Sequence, residues 1–210
     1  MLKIKGRLYV ITDENLISRK NFLGKIAEAA AAGAGLIQLR EKASRLRDRL
    51  ELAGEAVRTA HAFGAKLLIN DDPLLAAAIG ADGVHIGRDD GTVEAARALL
   101  GPGAIIGVSC YGDISLALRS QAAGADYVSF GACFRSPTKP EEALAPLSVF
   151  ADARRRVKVP LVAIGGINKD NAALVMSAGA DMISVVSSVF AARRTAPAVT
   201  ALKNKIGDKT

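Results

Sequence analysis

Tryptophan is missing from the 210 residues, and aromatic side chains make up only 4% of them. The interior is therefore left to aliphatic side chains, and the basic segments have few rings on which nucleic-acid bases would stack. Two cysteines, Cys110 and Cys133, are too few for a disulfide framework or a four-thiolate metal site, so both are expected as free thiols in a reducing cytoplasm. The two histidines, His61 and His85, have no obvious nucleophile or metal partner, which predicts an interior-layer or surface role for each. No apolar run approaches the roughly 18 residues of a membrane span. The opening stretch from Met1 reaches the acidic Thr12-Asp13-Glu14 too soon for a signal peptide.

Half of the residues are hydrophobic, enough for one sizeable core, and the net charge is +7. A positive balance of that size suits small anionic substrates as well as larger polyanions. The basic runs Arg45, Arg47 and Arg49, then Arg154 to Arg156, then Arg193 and Arg194 fall on segments of helical character and read as solvated helix faces. The partners called for are two small phosphorylated molecules, with a homo-oligomer also possible, and neither nucleic acid nor membrane.

Short β-rich runs at 7–12, 36–40, 66–70, 83–87, 105–109, 127–131, 161–165 and 182–187 each precede a longer Ala-, Leu- and Arg-rich segment. Runs such as LLIN and ISVV are apolar without alternation, as expected of parallel strands buried on both faces. Eight such units without a Pro/Gly/Ser-rich linker predict a single (β/α)8 TIM barrel over 1–210, with 193–210 a C-terminal helix and tail. An internal repeat supports this. Gly-Ala-Asp recurs at 80–82, 124–126 and 179–181, with Ala-Gly-Ala-Gly at 32–35, each between a helical pattern and a strand. Such a glycine suits a left-handed helix stop, and the three aspartates are assigned to structure at the barrel's stability end.

Chemistry is expected where the strands finish. Gln38, Arg40 and Lys42 alternate onto one side at the end of the second run, a set suited to a polyanion. Asn70-Asp71-Asp72 ends the third run and Gly87-Arg88-Asp89-Asp90 the fourth. Carboxylates on adjacent strands beside cations suit a hard cation such as Mg2+ shared with phosphate oxygens, with Asp71 and Asp90 as its ligands. Asp72 reads instead as a helix cap, with Pro73 at the first helical position. Ser109 ends the fifth run, and Ser136, Thr138 and Lys139 lie in a loop with two prolines after the sixth. Gly165-Gly166 at the end of the seventh run, with Val186 and Ser187 at the end of the eighth, predicts a phosphate cradle of backbone amides. Two phosphorylated ligands follow, and with no general-base dyad between them, charge-assisted departure of a leaving group is the expected chemistry.

The ordered set Tyr9-Val10-Ile11-Thr12-Asp13, Gln38-Leu39-Arg40-Glu41-Lys42, Ile69-Asn70-Asp71, Gly80 to Gly87, Gly107-Val108-Ser109, Thr138-Lys139 and Ala163 to Ile167 resembles the thiamine phosphate synthase family, in order from Tyr9 to Phe190. The resemblance implies a condensation of hydroxymethylpyrimidine diphosphate with thiazole phosphate. Diphosphate leaves first, and the thiazole nitrogen captures the pyrimidine methylene cation. It places the pyrimidine diphosphate on Gln38, Arg40, Lys42, Asn70, Ser109 and Lys139, with Arg40, Lys42 and Lys139 the catalytic cations. Mg2+ falls to Asp71 and Asp90, and the thiazole phosphate to Ser136, Thr138, Gly166, Val186 and Ser187. Three positions depart from the family pattern. Arg88 replaces a Gln, Ser136 replaces a Thr, and Leu147 stands where a Gly is usual after the loop. Strand alternation, if it reaches Asp90, puts Arg88 on that residue's side. Two alternatives share the barrel: a thiazole tautomerase, and a thiazole-phosphate-binding paralogue without catalysis. The first uses a His where this chain has Tyr111 and lacks the acidic residue retained here as Asp71.

Overall fold

Each run predicted as a strand contains one in the computed structural model, which describes residues 5–41, 45–136 and 143–209. Among the described residues the strands are β1 (Leu8–Ile11), β2 (Leu36–Leu39), β3 (Lys66–Asn70), β4 (Gly83–Ile86), β5 (Ile105–Ser109), β6 (Tyr127–Phe130), β7 (Leu161–Ile164) and β8 (Met182–Val185). All neighbours are parallel, and β1 pairs with β8 through Leu8 and Ile183, so the sheet closes on itself as a (β/α)8 TIM barrel. The helices are α1 (Phe22–Ala31), α2 (Leu46–Ala62), α3 (Pro73–Ile79), α4 (Val93–Leu100), α5 (Ile114–Ala122), α6 (Ser148–Arg154), α7 (Ala172–Ser177), α8 (Ser187–Phe190) and α9 (Thr195–Lys205). No described helix is long and apolar enough to cross a membrane.

The lack of alternation in the strands now has its cause. Leu8 and Val10 of β1 face the helices, while Tyr9 and Ile11 face the barrel axis, and all four are buried. The axis is filled by Tyr9, Ile11, Leu36, Leu68, Ile105, Tyr127, Val162 and Met182, and the much larger outer core joins strands to helices. Tyr127 fits because Gly107 opposes it on β5, where an added Cβ would lie 1.9 Å from its ring.

The Gly-Ala-Asp repeat does structural work at the end where strands begin. Gly80, Gly124 and Gly179 all have positive φ, which ends the preceding helix. Each following aspartate then ties back to the previous strand. Asp82 Oδ2 accepts from the Leu67 amide at 2.8 Å, Asp126 from Ile106 at 2.8 Å and Asp181 from Leu161 at 2.7 Å. Each also donates its own amide to the carbonyl of the same residue. Lys66, Arg97 and Arg154 respectively pair with the three carboxylates. Asp208, beyond α9, closes the ring by accepting from the Arg7 amide at 2.7 Å, so the C-terminal tail serves β1 as the repeat serves β3, β5 and β7.

Some local expectations need correction. Arg155 and Arg156 follow the end of α6, and Arg193 and Arg194 lie in the turn before α9, so these cations are not on helix faces. Within the same runs Arg154 and Arg49 are engaged, the latter with Asp72 at 2.6 Å. Leu147 has φ −62° and ψ −21° and packs against the core, so this position demands no glycine conformation.

Candidate active site

Above the apolar layer of the axis, inward-facing positions become polar: Gln38 on β2, Asn70 on β3, His85 on β4, Ser109 on β5, Ser129 on β6 and Ser184 on β8 all line one cavity of about 310 Å3. The cavity opens where the strands finish. Asp71, Asp90, Arg40, Ser136, Gly166, Val186 and Ser187 complete much of its wall. Ten sequence-predicted site residues therefore converge, from seven of the eight strands or the loops that follow them, while Lys42, Thr138 and Lys139 lie outside the described residues.

The carboxylates are set by local backbone. Asp71 follows β3 in the left-handed region, φ 63°, which Asp tolerates better than most residues. Its amide donates to the His85 carbonyl at 2.8 Å, pinning it across to β4. The strand stops at Ile86, so Gly87 to Asp90 is a turn, and Asp90 Oδ2 accepts from the Gly87 amide at 2.9 Å. Alternation therefore does not govern Arg88. Its guanidinium lies 4.8 Å from the Tyr111 ring centre and lines a neighbouring groove, while Asp90 and Tyr111 line the cavity. Asp72 instead caps α3, accepting from the Leu75 amide at 2.8 Å with Pro73 next, as predicted.

Arg40 also follows the end of its strand, and it meets acid. Its Nη1 is 3.3 Å from Asp13 Oδ2 and 3.7 Å from Glu14 Oε2. Thr12 fixes its backbone, its hydroxyl accepting from the Arg40 amide at 2.9 Å.

On the opposite wall the Gly pair is required by packing as well. The Cys133 amide donates to the Ile164 carbonyl at 2.8 Å and the Phe134 amide to Gly165 at 3.0 Å, which lays the loop after β6 along the loop after β7. Gly165 and Gly166 have φ of 96° and 62°, and an added Cβ would fall 2.5 Å from Ala132 Cα or from the Arg135 carbonyl oxygen. Ser187 is the first residue of α8 rather than the last of β8. The Val189 amide bonds back to the Val186 carbonyl at 3.2 Å, and Ser188 Oγ anchors the turn to the Ile167 carbonyl at 2.5 Å.

Burial sets the charge states. It lowers the His85 imidazole to a pKa of about 4, opposed by the nearby Asp71 carboxylate, so the ring is neutral near pH 7. Burial likewise pushes the Cys110 thiol up to about 12 and Cys133 up to about 11, which removes both as thiolate nucleophiles. Among the described residues no group of three His, Cys, Asp or Glu side chains could enclose a metal ion. Asp71 and Asp90 nevertheless present hard oxygen donors to one cavity, a set that fits Mg2+ completed by water and phosphate oxygens.

Sequence reasoning missed Asp13, Tyr111, Ser129 and Ser184 in the wall, and it left His85 without a site role. Ser129 and Ser184 were detectable, because each stands two residues after an axis residue, Tyr127 and Met182.

The family profile for thiamine monophosphate synthase matches residues 8–189. The thiamine-phosphate synthase of Chromobacterium violaceum is 48% identical over 205 residues, 98% of this chain and 98% of its own. That of Nitrosococcus oceani is 44% identical over 200 residues, 95% of this chain and 92% of its own. Among solved structures, thiamine phosphate pyrophosphorylase from Pyrococcus furiosus superposes with a TM-score of 0.87 at 34% identity, covering 96% of this chain and 95% of that one.

Proposed function

The chain belongs to the thiamine monophosphate synthase family and is a transferase of thiamine biosynthesis, and from that premise we propose how its cavity divides the work of joining pyrimidine diphosphate to thiazole phosphate. The observation that carries the division is the separation of two anion-suited walls within one 310 Å3 cavity. On the first wall, Gln38, Asn70 and Ser109 hold the pyrimidine diphosphate by hydrogen bonds. Arg40 supplies a fixed positive charge, with Lys42 and Lys139 as the remaining catalytic cations. Asp71 and Asp90 would hold Mg2+, which when bound neutralises charge on the departing diphosphate.

On the second wall, Gly166, Val186 and Ser187 offer backbone amides to the thiazole phosphate, with Ser136 and Thr138 adding hydroxyls. Proton abstraction is poorly served, because burial lowers the His85 pKa to about 4 and so makes its neutral ring a weak base, and both thiols are held protonated. Its contribution is electrostatic and positional. Fixed donors meet negative charge as it develops on the diphosphate, and the enclosed walls keep water from the pyrimidine methylene cation before the thiazole nitrogen reaches it.

Asp13 and Glu14 hold Arg40 in place, so its charge is directed rather than loose. Both walls are built from the same barrel, which supports reading 1–210 as one domain, and the two buried thiols suit a cytoplasmic setting. Product analysis of the purified protein with both substrates, with and without Mg2+, tests the reading. Thiamine phosphate formed only with Mg2+ is the expected result. Isomerised thiazole carboxylate phosphate would identify a tautomerase, and binding without turnover a non-catalytic relative.

A further inference from the structure

Beneath the cavity floor a continuous chain of hydrogen bonds crosses the barrel axis. Gln38 Nε2 donates to the Tyr9 hydroxyl. The Tyr9 and Tyr127 hydroxyls are 3.0 Å apart, Tyr127 OH lies 2.8 Å from His85 Nδ1, and His85 Nε2 lies 3.0 Å from Ser109 Oγ. Both ends, Gln38 and Ser109, line the cavity. Tyr9 and Tyr127 are at most 1% exposed, so the chain exchanges no bonds with bulk water at its centre. The two rings meet edge to face at 87°, and His85 stacks on Tyr127 at 16°, which fixes their geometry.

Each interior member has one proton to give. Burial raises both tyrosines far above the usual phenol range, so each keeps its O–H, and the imidazole, with its two nitrogens against the Tyr127 and Ser109 hydroxyls at 2.8 and 3.0 Å, shares one N–H between them. A chain of single donors has one free choice, its direction, and the end decides it. An amide nitrogen donates and does not accept. With Gln38 Nε2 on the Tyr9 oxygen, the Tyr9 proton turns to Tyr127, and the Tyr127 proton turns to His85 Nδ1. His85 must then carry its hydrogen on Nε2 and donate it to Ser109 Oγ.

We propose that Tyr9, Tyr127 and His85 are positioning residues that fix the polarity of Ser109, so that its hydroxyl proton points into the cavity as a donor. The ligand atom that takes this proton is consequently a hydrogen-bond acceptor, a ring nitrogen or a phosphate oxygen. The identity of that ligand as the pyrimidine diphosphate rests on the reading above, whereas the polarity of the chain does not. Gly107 belongs to the same device, since a Cβ there would displace the Tyr127 ring.

The test is nitrogen-15 NMR of histidine-labelled protein without substrate near pH 7. Only His61 and His85 contribute, and His61→Gln assigns the signals. The expected result is a protonated Nε2 and an unprotonated Nδ1 on His85, and the reverse tautomer would overturn the proposal in an enzyme of any activity. Tyr9→Phe removes the link that imposes direction. It should turn the single His85 tautomer into a mixture and raise KM for the pyrimidine diphosphate about five- to tenfold, the worth of one misdirected hydrogen bond. KM for the thiazole phosphate should stay within about twofold. An unchanged tautomer with an unchanged KM in Tyr9→Phe would also refute it. Failure of the wild-type protein to make thiamine phosphate would count against the proposed function alone, because the tautomer is read without turnover.

Discussion

Where the strands begin, Asp82, Asp126 and Asp181 accept from strand amides and pair with Lys66, Arg97 and Arg154. Where the strands finish, Asp71 and Asp90 sit on a left-handed residue and a tight turn in the wall of a cavity. One residue type thus serves two ends of one barrel. At the first end the carboxylate completes the backbone of its neighbour, and at the second the backbone holds a carboxylate toward a space large enough for a ligand. Stability and chemistry are therefore separable by position, and substitutions at the two ends should fail in different ways.

The largest expected effect is at the chemical end. Asp71→Asn keeps a side chain that tolerates positive φ while removing the charge, and it should reduce Mg2+-dependent synthesis by more than about 100-fold. Its melting temperature should stay within about 2 °C of the wild type. Retained activity at limiting Mg2+ would remove Asp71 from the metal site.

Asp82→Ala should do the opposite. It leaves the Leu67 amide and Lys66 without a partner, at a cost of about 1–3 kcal/mol, read as a lower urea midpoint with kcat within about twofold. The effect should depend on pH with a defined sign. Burial alone would raise the Asp82 carboxyl, but hydrogen bonds from Lys66, the Leu67 amide and His61, with the His61 charge, outweigh it and hold the pKa below the usual value. The stabilisation is then complete above the ordinary carboxylate pKa of about 4 and is lost as pH falls through the lower folded value. The two urea midpoints should therefore converge in acid, and a gap that persists there would mean that packing rather than charge is at stake.

Ser187→Asp places a carboxylate at the start of α8 and should weaken thiazole phosphate binding about tenfold or more, with pyrimidine diphosphate affinity changed less than about twofold. Equal losses in calorimetry would merge the two walls into one site. The smallest effect is expected from Arg88→Gln. Its contact with Tyr111 is worth about 0.5–1 kcal/mol, so KM for the pyrimidine diphosphate should rise about two- to fivefold through a looser Tyr111 wall. A variant more active at low Mg2+ would show that Arg88 competes for the acidic site instead.

Residues on regular strands followed sequence logic well, and residues just past them did so less. Gln38, Asn70 and Ser109 occupy the cavity because inward parity is a property of the strand. That parity ended at Ile86, so extending it to Arg88 failed once the Gly87–Asp90 turn took over. The pairing of Arg40 with Asp13 and Glu14 joins residues on different βα units, and no local pattern announces it. His85 takes the interior-layer place expected of it, but its partners went unseen for a similar reason: Tyr127 and Ser109 are 42 and 24 residues away.

Apolar strand runs, their spacing and the Gly-Ala-Asp helix stops were sufficient for the eightfold barrel and for the end that carries chemistry, because these follow from local backbone preferences and from burial on both strand faces. The family was readable from ordered motifs for the same reason. The direction of the hydrogen-bond chain, the stacking of Arg88 on Tyr111 and the packing demand on Gly165 and Gly166 arise only when the barrel closes. Each depends on distances between residues far apart in the chain, and closure is what sets those distances.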